Sequence, residues 1–116
     1  MKTIIAGSRT VQDSKNIYRL LDTHTEITEV VSGLAKGPDT IGKHWAEEKG
    51  IPVKEFPADW ETHGKKAGYL RNIEMGNYAD QLIAFWDGKS KGTLHMITYM
   101  KSLNKPVIVE EWYVSV

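Results

Sequence analysis

Phe85-Trp86-Asp87-Gly88-Lys89-Ser90-Lys91-Gly92-Thr93-Leu94-His95-Met96 carries the densest chemistry in the chain. An apolar run, Gln81 to Trp86, enters a loop with two glycines and two lysines, and a helix-like segment follows at once. That layout suits an anion. Glycine lets the backbone approach a ligand, exposed N–H groups at a helix start point outward, and the helix dipole and cations favour phosphate or carboxylate. Asp87, Gly88, Ser90, Gly92 and Thr93 are the candidate contacts here.

Three further junctions carry candidates. Gly7-Ser8-Arg9 follows the first apolar run. It lacks the later glycines of the dinucleotide fingerprint, so a turn with a surface arginine and a ligand contact both fit. Ser32-Gly33-Leu34-Ala35-Lys36-Gly37-Pro38-Asp39 places Gly33, Lys36 and Gly37 ahead of a helix start. Asp39 there either caps its helix or accepts from a ligand hydroxyl, and the glycines serve either loop geometry or ligand approach. Asp59 and Trp60 lie in a loop, and Arg71, Asn72 and Glu74 on a helix. Arg71 and Glu74 stand three apart, the spacing of a surface ion pair. An arginine at a strand end also suits phosphate, because its planar fork binds oxygens two at a time. The four histidines (His24, His44, His63, His95) show no metal-ligand spacing with an acidic partner, so no metal site is expected.

The elements that position these residues alternate. Thr3 to Ala6 is a short buried strand. Ser14 to Thr25 is an amphipathic helix with Ile17, Leu20, Leu21 and His24 on one face and Asp13 or Ser14 as cap. A strand from Glu29 ends at Ser32-Gly33. A helix opens at Gly37-Pro38-Asp39 and runs to Lys49, with Gly50 where a terminating glycine belongs. Ile51 to Phe56 is a third strand and Pro57 to Lys66 a loop. Lys66 to Tyr78 is helical, although Gly68 and Gly76 weaken it. Asp80 to Trp86 is the fourth strand, Gly92 to Asn104 a helix, and Val107 to Val109 the fifth strand. Such alternation implies right-handed crossovers and a mainly parallel sheet of about five strands in a single Rossmann-like α/β domain of three layers, residues 1–116. Ligands in such sheets sit at the carboxyl ends of the strands, where all four junctions fall.

Composition narrows the classes. The chain has 116 residues, 15 Lys+Arg, 15 Asp+Glu and no cysteine. Disulfide and thiol chemistry are excluded. Zero net charge argues against a basic nucleic-acid coat. No apolar run approaches the roughly 18 residues that span a bilayer, and the Met1 to Gly7 start is too short for a signal peptide. A soluble cytoplasmic protein without a membrane partner is the expectation. Four tryptophans exceed what a core this size needs, so Trp60 and Trp86 are each read as core packing or as a stacking platform.

The runs AGSR, SGLAKGPD, FPADWETHGKKAGYLRNIEM and AFWDGKSKGTLHM together resemble the YspA/YpsA-related branch of the SLOG superfamily, over roughly Thr3 to Val109. The superfamily includes the lonely-guy phosphoribohydrolases and the DNA-processing protein of natural transformation. The resemblance implies a nucleotide-like ligand at the strand ends, with Gly88, Ser90, Gly92 and Thr93 as phosphate loop. Arg71, Asn72, Glu74 and Met75 look like the arginine-bearing helix motif of the lonely-guy enzymes. Those enzymes also use a glutamate three residues after the Gly-Thr pair, where this chain has Met96. A thioether neither stabilises an oxocarbenium ion nor activates water. Binding without hydrolysis is therefore the expectation, with no cofactor. A phosphoribohydrolase using Asp87, Asp59 or His95 as a relocated acid is the alternative, and single-stranded DNA binding the last. A homodimer in the lonely-guy manner is a further expectation, and separately the run 110–116 is read as docking on a partner or on its own sheet edge.

Overall fold

The computed structural model describes residues 1–112; the expectation for the C-terminal run lies mostly outside the described residues. Five strands form one sheet: β1 (Lys2–Gly7), β2 (Glu29–Ser32), β3 (Val53–Glu55), β4 (Gln81–Trp86) and β5 (Val107–Glu111), in spatial order β3-β2-β1-β4-β5. Every neighbouring pair is parallel. The strand order reverses between β1 and β4, which pair from Thr3 with Gln81 to Gly7 with Phe85. That is the switch point where a crevice opens at the strand ends.

Period-two alternation divides the core into two layers. Ile4, Ala6, Val31, Leu82 and Ala84 face one way, and pack against Met75 of α4 (Ala67–Tyr78) and Met96, Ile97 and Met100 of α5 (Lys91–Ser102). Ile5, Val30, Ile83 and Phe85 face the other way. They meet Ile17 and Leu21 of α1 (Ser14–Leu21) and Trp45 and Ala46 of α2 (Pro38–Lys49). Strands buried on both faces read as continuous apolar runs, as these do. Among the described residues no helix is long and apolar enough to cross a membrane.

Several boundaries differ from the sequence reading, each for a local reason. α1 stops at Leu21; Thr23 and His24 fold into a turn, where His24 Nδ1 meets Glu26 Oε2 at 2.9 Å instead of extending the helix face. β3 begins only after Pro52, because the Ile51 N–H is spent on the Ala46 carbonyl at the end of α2. The loop expected over 57–66 contains α3 (Trp60–His63), capped by the Asp59 carboxylate on Thr62 N, and a 3-10 turn (Gly64–Lys66). α5 starts one residue early under the Ser90 cap and ends at Ser102, with Asn104 left-handed at φ 57°. Gly76 does not break α4, because it lets α5 approach: a Cβ there would stand 2.6 Å from the Tyr99 ring.

Candidate functional site

At the switch point β1 and β4 lie too close for any side chain at Gly7, where a Cβ would fall 2.2 Å from the Phe85 carbonyl oxygen. The chain leaving β1 is tied to the loop after β4. Asp87 N donates to the buried Ser8 Oγ at 3.0 Å, and Thr10 Oγ1 donates to Asp87 Oδ2 at 2.9 Å. Asp87 Oδ1 accepts from Lys89 N at 2.8 Å and Ser90 N at 2.9 Å. Partial burial pushes this carboxyl up, but the two N–H groups and the hydroxyls of Ser8 and Thr10 outweigh it and bring it down to about 2. Two of the loop's amides are thereby consumed by its own aspartate. At the start of α5 the Ser90 Oγ cap takes Thr93 N at 3.4 Å, which leaves the amides of Lys91 and Gly92 without an acceptor.

The β2–α2 loop is held from inside. Asp39 is 4 % exposed and turns inward instead of capping α2, whose N-cap is Gly37. The main-chain N–H groups of Ala35, Gly33 and Gly7 donate to its carboxylate. Burial pushes Asp39 up to about 6, against the pull of Arg71 and of those three donors. Gly37 sits at φ 87°, pressed on the β1–α1 loop, where a Cβ would meet Ser8 O at 2.9 Å. Leu34 is left-handed at φ 63°, an uncommon state for a branched side chain, and Leu34 N is held by Ser32 Oγ at 3.2 Å.

Arg71 crosses from α4 to this loop. Its Nη1 donates to the Gly33 carbonyl at 2.5 Å and its Nε to Asn72 Oδ1 at 3.1 Å, leaving Nη2 toward the cleft beside Gly68. Burial, and repulsion from Arg9, depress its pKa while Asp39 opposes them. Asn72 in turn donates to Gly92 O and to His95 Nδ1, each at 3.2 Å, so α4 and the start of α5 are fastened together. Burial lowers the pKa of His95, which favours the neutral ring that accepts at Nδ1. Arg71 and Glu74 form no ion pair, and Glu74 faces solvent on α4.

These loops line a cleft of two neighbouring chambers. One, of about 260 Å³, is lined by Gly7, Asp39, Arg71, Asn72, Ser90, Gly92 and Thr93, with Met75 and Met96 on its floor. The other, of about 350 Å³, is lined by Gly33, Leu34, Lys36, Pro57 and Ala58. Arg9, Ala35, Trp60 and Arg71 border both. Six sequence candidates do not line the cleft. Ser8, Gly37, Asp87 and Gly88 build loops behind it, Asp59 caps α3, and Glu74 lies outside. Trp86 packs against the α4–α5 core and donates Nε1 to Ser90 O at 3.1 Å. Lys65 and Tyr69 line the first chamber without having been singled out; their signal was only their place within the HGKKAGYLRN run. Ala35, Pro57 and Ala58 carried no chemical signal at all.

A family model described as the YspA, cpYpsA-related SLOG family matches residues 1–63. The gene 61 protein of Mycobacterium phage D29 is 38 % identical over 117 residues, covering 92 % of this chain and 94 % of the phage protein. The chain belongs to the YspA, cpYpsA-related SLOG family. The family match includes the AGSR and SGLAKGPD junctions and stops before Arg71 and Gly92, whereas the similarity to the phage protein runs over most of the chain. In fold, the chain is similar to DNA processing protein A (DprA) from Streptococcus pneumoniae, with a TM-score of 0.78 at 18 % identity over 93 % of this chain. It spans 49 % of that protein's chain.

Proposed function

We propose that this SLOG domain binds a nucleotide or a phosphorylated, nucleotide-derived small molecule, as a sensor or a store of it and not as a hydrolase. The observation that carries the reading is the start of α5. Gly92 lines the cleft, and a Cβ there would meet nothing within 4 Å, so the fold itself has no steric need of this glycine. A ligand brought against the helix N–H groups does have one. Arg71 Nη2 and the exposed Arg9 supply cationic charge to the same chamber. Met96, 1 % exposed on the chamber floor, offers no proton and no charge. A nucleotide- or DNA-related role is in keeping with the family and with the fold shared with DprA.

One observation favours the phosphoribohydrolase reading: the Asp39 carboxyl, raised to about 6, borders the same chamber as Arg71. Its three main-chain donors already account for it as a loop anchor, so binding is preferred. Calorimetry with ribonucleoside 5′-monophosphates and the matching nucleosides tests the proposal, with Gly92→Ala alongside. The expected result is a clear preference for at least one monophosphate, lost by tenfold or more in Gly92→Ala, about 1.4 kcal/mol, while that variant melts no lower than the parent. Equal affinity for nucleoside and monophosphate would sink it. Release of free base, followed by chromatography, would promote the hydrolase instead.

A further inference from the structure

The second chamber has no part in holding a single phosphate at α5, yet it is built of the same kind of wall. Lys36 lines it, Arg9 and Arg71 stand at the seam, and no carboxylate lines it. In the first chamber Lys65 adds a cation, and the one acid, Asp39, is turned into main-chain N–H groups. In a molecule with 15 residues of each sign, four cations and one acid line this cleft, a local positive excess. The volumes, about 260 and 350 Å³, put either chamber alone near the lower end of small-molecule sites, which run from roughly 300 to 1,000 Å³.

Two further observations point to an occupant that spans the seam. Trp60 borders both chambers and is 54 % exposed, so core packing does not explain it. It is set there by α3, which Asp59 caps and Gly64, at φ 56°, ends. Leu34, on the wall of the second chamber, holds a left-handed backbone. Strain of this kind persists where surrounding structure enforces it, commonly at ligand clamps.

Resting on the nucleotide reading above, we infer that the second chamber is a second anion subsite: the ligand is a nucleotide bearing two phosphate groups, one at the start of α5 and one at Lys36, with an aromatic base against Trp60. The second phosphate belongs either to a bisphosphorylated nucleoside or to a pyrophosphate-linked second nucleoside; the chemistry at Lys36 is the same.

Calorimetry on the full chain compares the four ribonucleoside 5′-monophosphates with their 3′,5′-bisphosphates and with the corresponding symmetric dinucleoside pyrophosphates. At least one two-phosphate probe is expected to bind about tenfold tighter than its monophosphate, the worth of one charge-assisted contact. Lys36→Ala, an exposed position, is expected to cost that probe at least about five times more than it costs the monophosphate. Trp60→Ala is expected to weaken both by about tenfold, and Trp60→Phe by much less. Which two-phosphate series gains tells the two sources apart. Monophosphate binding without any two-phosphate gain, or a gain indifferent to Lys36→Ala, overturns the inference and leaves the nucleotide reading standing. No binding of any probe overturns both. Tighter binding of single-stranded DNA, with affinity rising with length, overturns it in favour of a nucleic-acid track.

Discussion

Arg71 and Asp39 both close on Gly33 and hold the cleft in shape. A Cβ at Gly33 would lie 2.6 Å from Arg71 Nη1 and 2.9 Å from Asp39 Oδ2. Gly33→Ala is therefore expected to push the guanidinium off its carbonyl and to destabilise by about 1–3 kcal/mol, the usual cost of overpacking; urea unfolding measures it. The opposite outcome belongs to Gly92, where a Cβ meets open space. Gly92→Ala is expected to leave stability unchanged or to raise it by up to about 1 kcal/mol through helix propensity, so its effect on binding reads the ligand and not the fold. Met96 illustrates how residue type and burial combine. A glutamate there places a carboxyl among Met75, Ala84 and Leu82. Met96→Glu is expected to melt well below the parent, because burying an unpaired charge costs several kcal/mol. Base release by this variant and not by the parent, in a chromatographic assay, would show that a carboxyl at this position suffices for hydrolysis in this cleft.

At the scale of elements, the cleft is as rigid as the contact between α4 and α5. Asn72 fastens α4 to the start of α5, Gly76 lets Tyr99 approach, and Tyr99 Oη donates to Asn77 Oδ1 at 2.6 Å. Gly76→Ala forces the ring away and is expected to cost about 1–3 kcal/mol in the parent but much less in a Tyr99→Ala background. A double-mutant cycle by thermal unfolding decides this, and equal costs in both backgrounds would mean that the glycine serves α4 alone. The sequence reading saw both helices and their apolar faces. Gly76 counted there as a weakness of α4, because a propensity scale carries no information about a ring arriving from 23 residues further along the chain.

Across the whole molecule, two carboxylates, Glu26 and Asp87, stitch distant segments and are expected to contribute to stability against acid. Glu26 is drawn down to about 2 from 4.5, chiefly by the Gln81 amide at 3.1 Å, and Asp87 to about 2 from 3.8. Both bind protons less readily folded than unfolded, so their contribution is complete above about pH 4.5 and drains away as pH falls toward 2. Melting temperature is expected to fall across that window. Asp87→Asn is expected to start lower at neutral pH and to show a shallower fall, since the titrating group is gone. An unchanged slope would mean that other carboxylates govern acid unfolding.

The sequence by itself determined the architecture. Period-two apolar runs, helical spacing, Pro38 at a helix start and Gly50 at its end are local signals, and their strand–helix alternation leaves a parallel sheet as the way to bury both faces. It also named the junctions that meet at the strand ends, because in this topology every loop that follows a strand falls on that side. Tertiary structure decided which side chains at those junctions reach the cleft. Asp87 and Asp59 are of the right type and in the right loops, yet each folds back on its own main chain at a range of two or three residues. Asp39 is claimed by three separate main-chain amides, and Trp60 is displayed by a four-residue helix that is too short for periodicity to reveal. A hydrogen-bond partner many residues away leaves no trace in local spacing, and that partner determines whether a polar side chain holds the loop or faces the ligand.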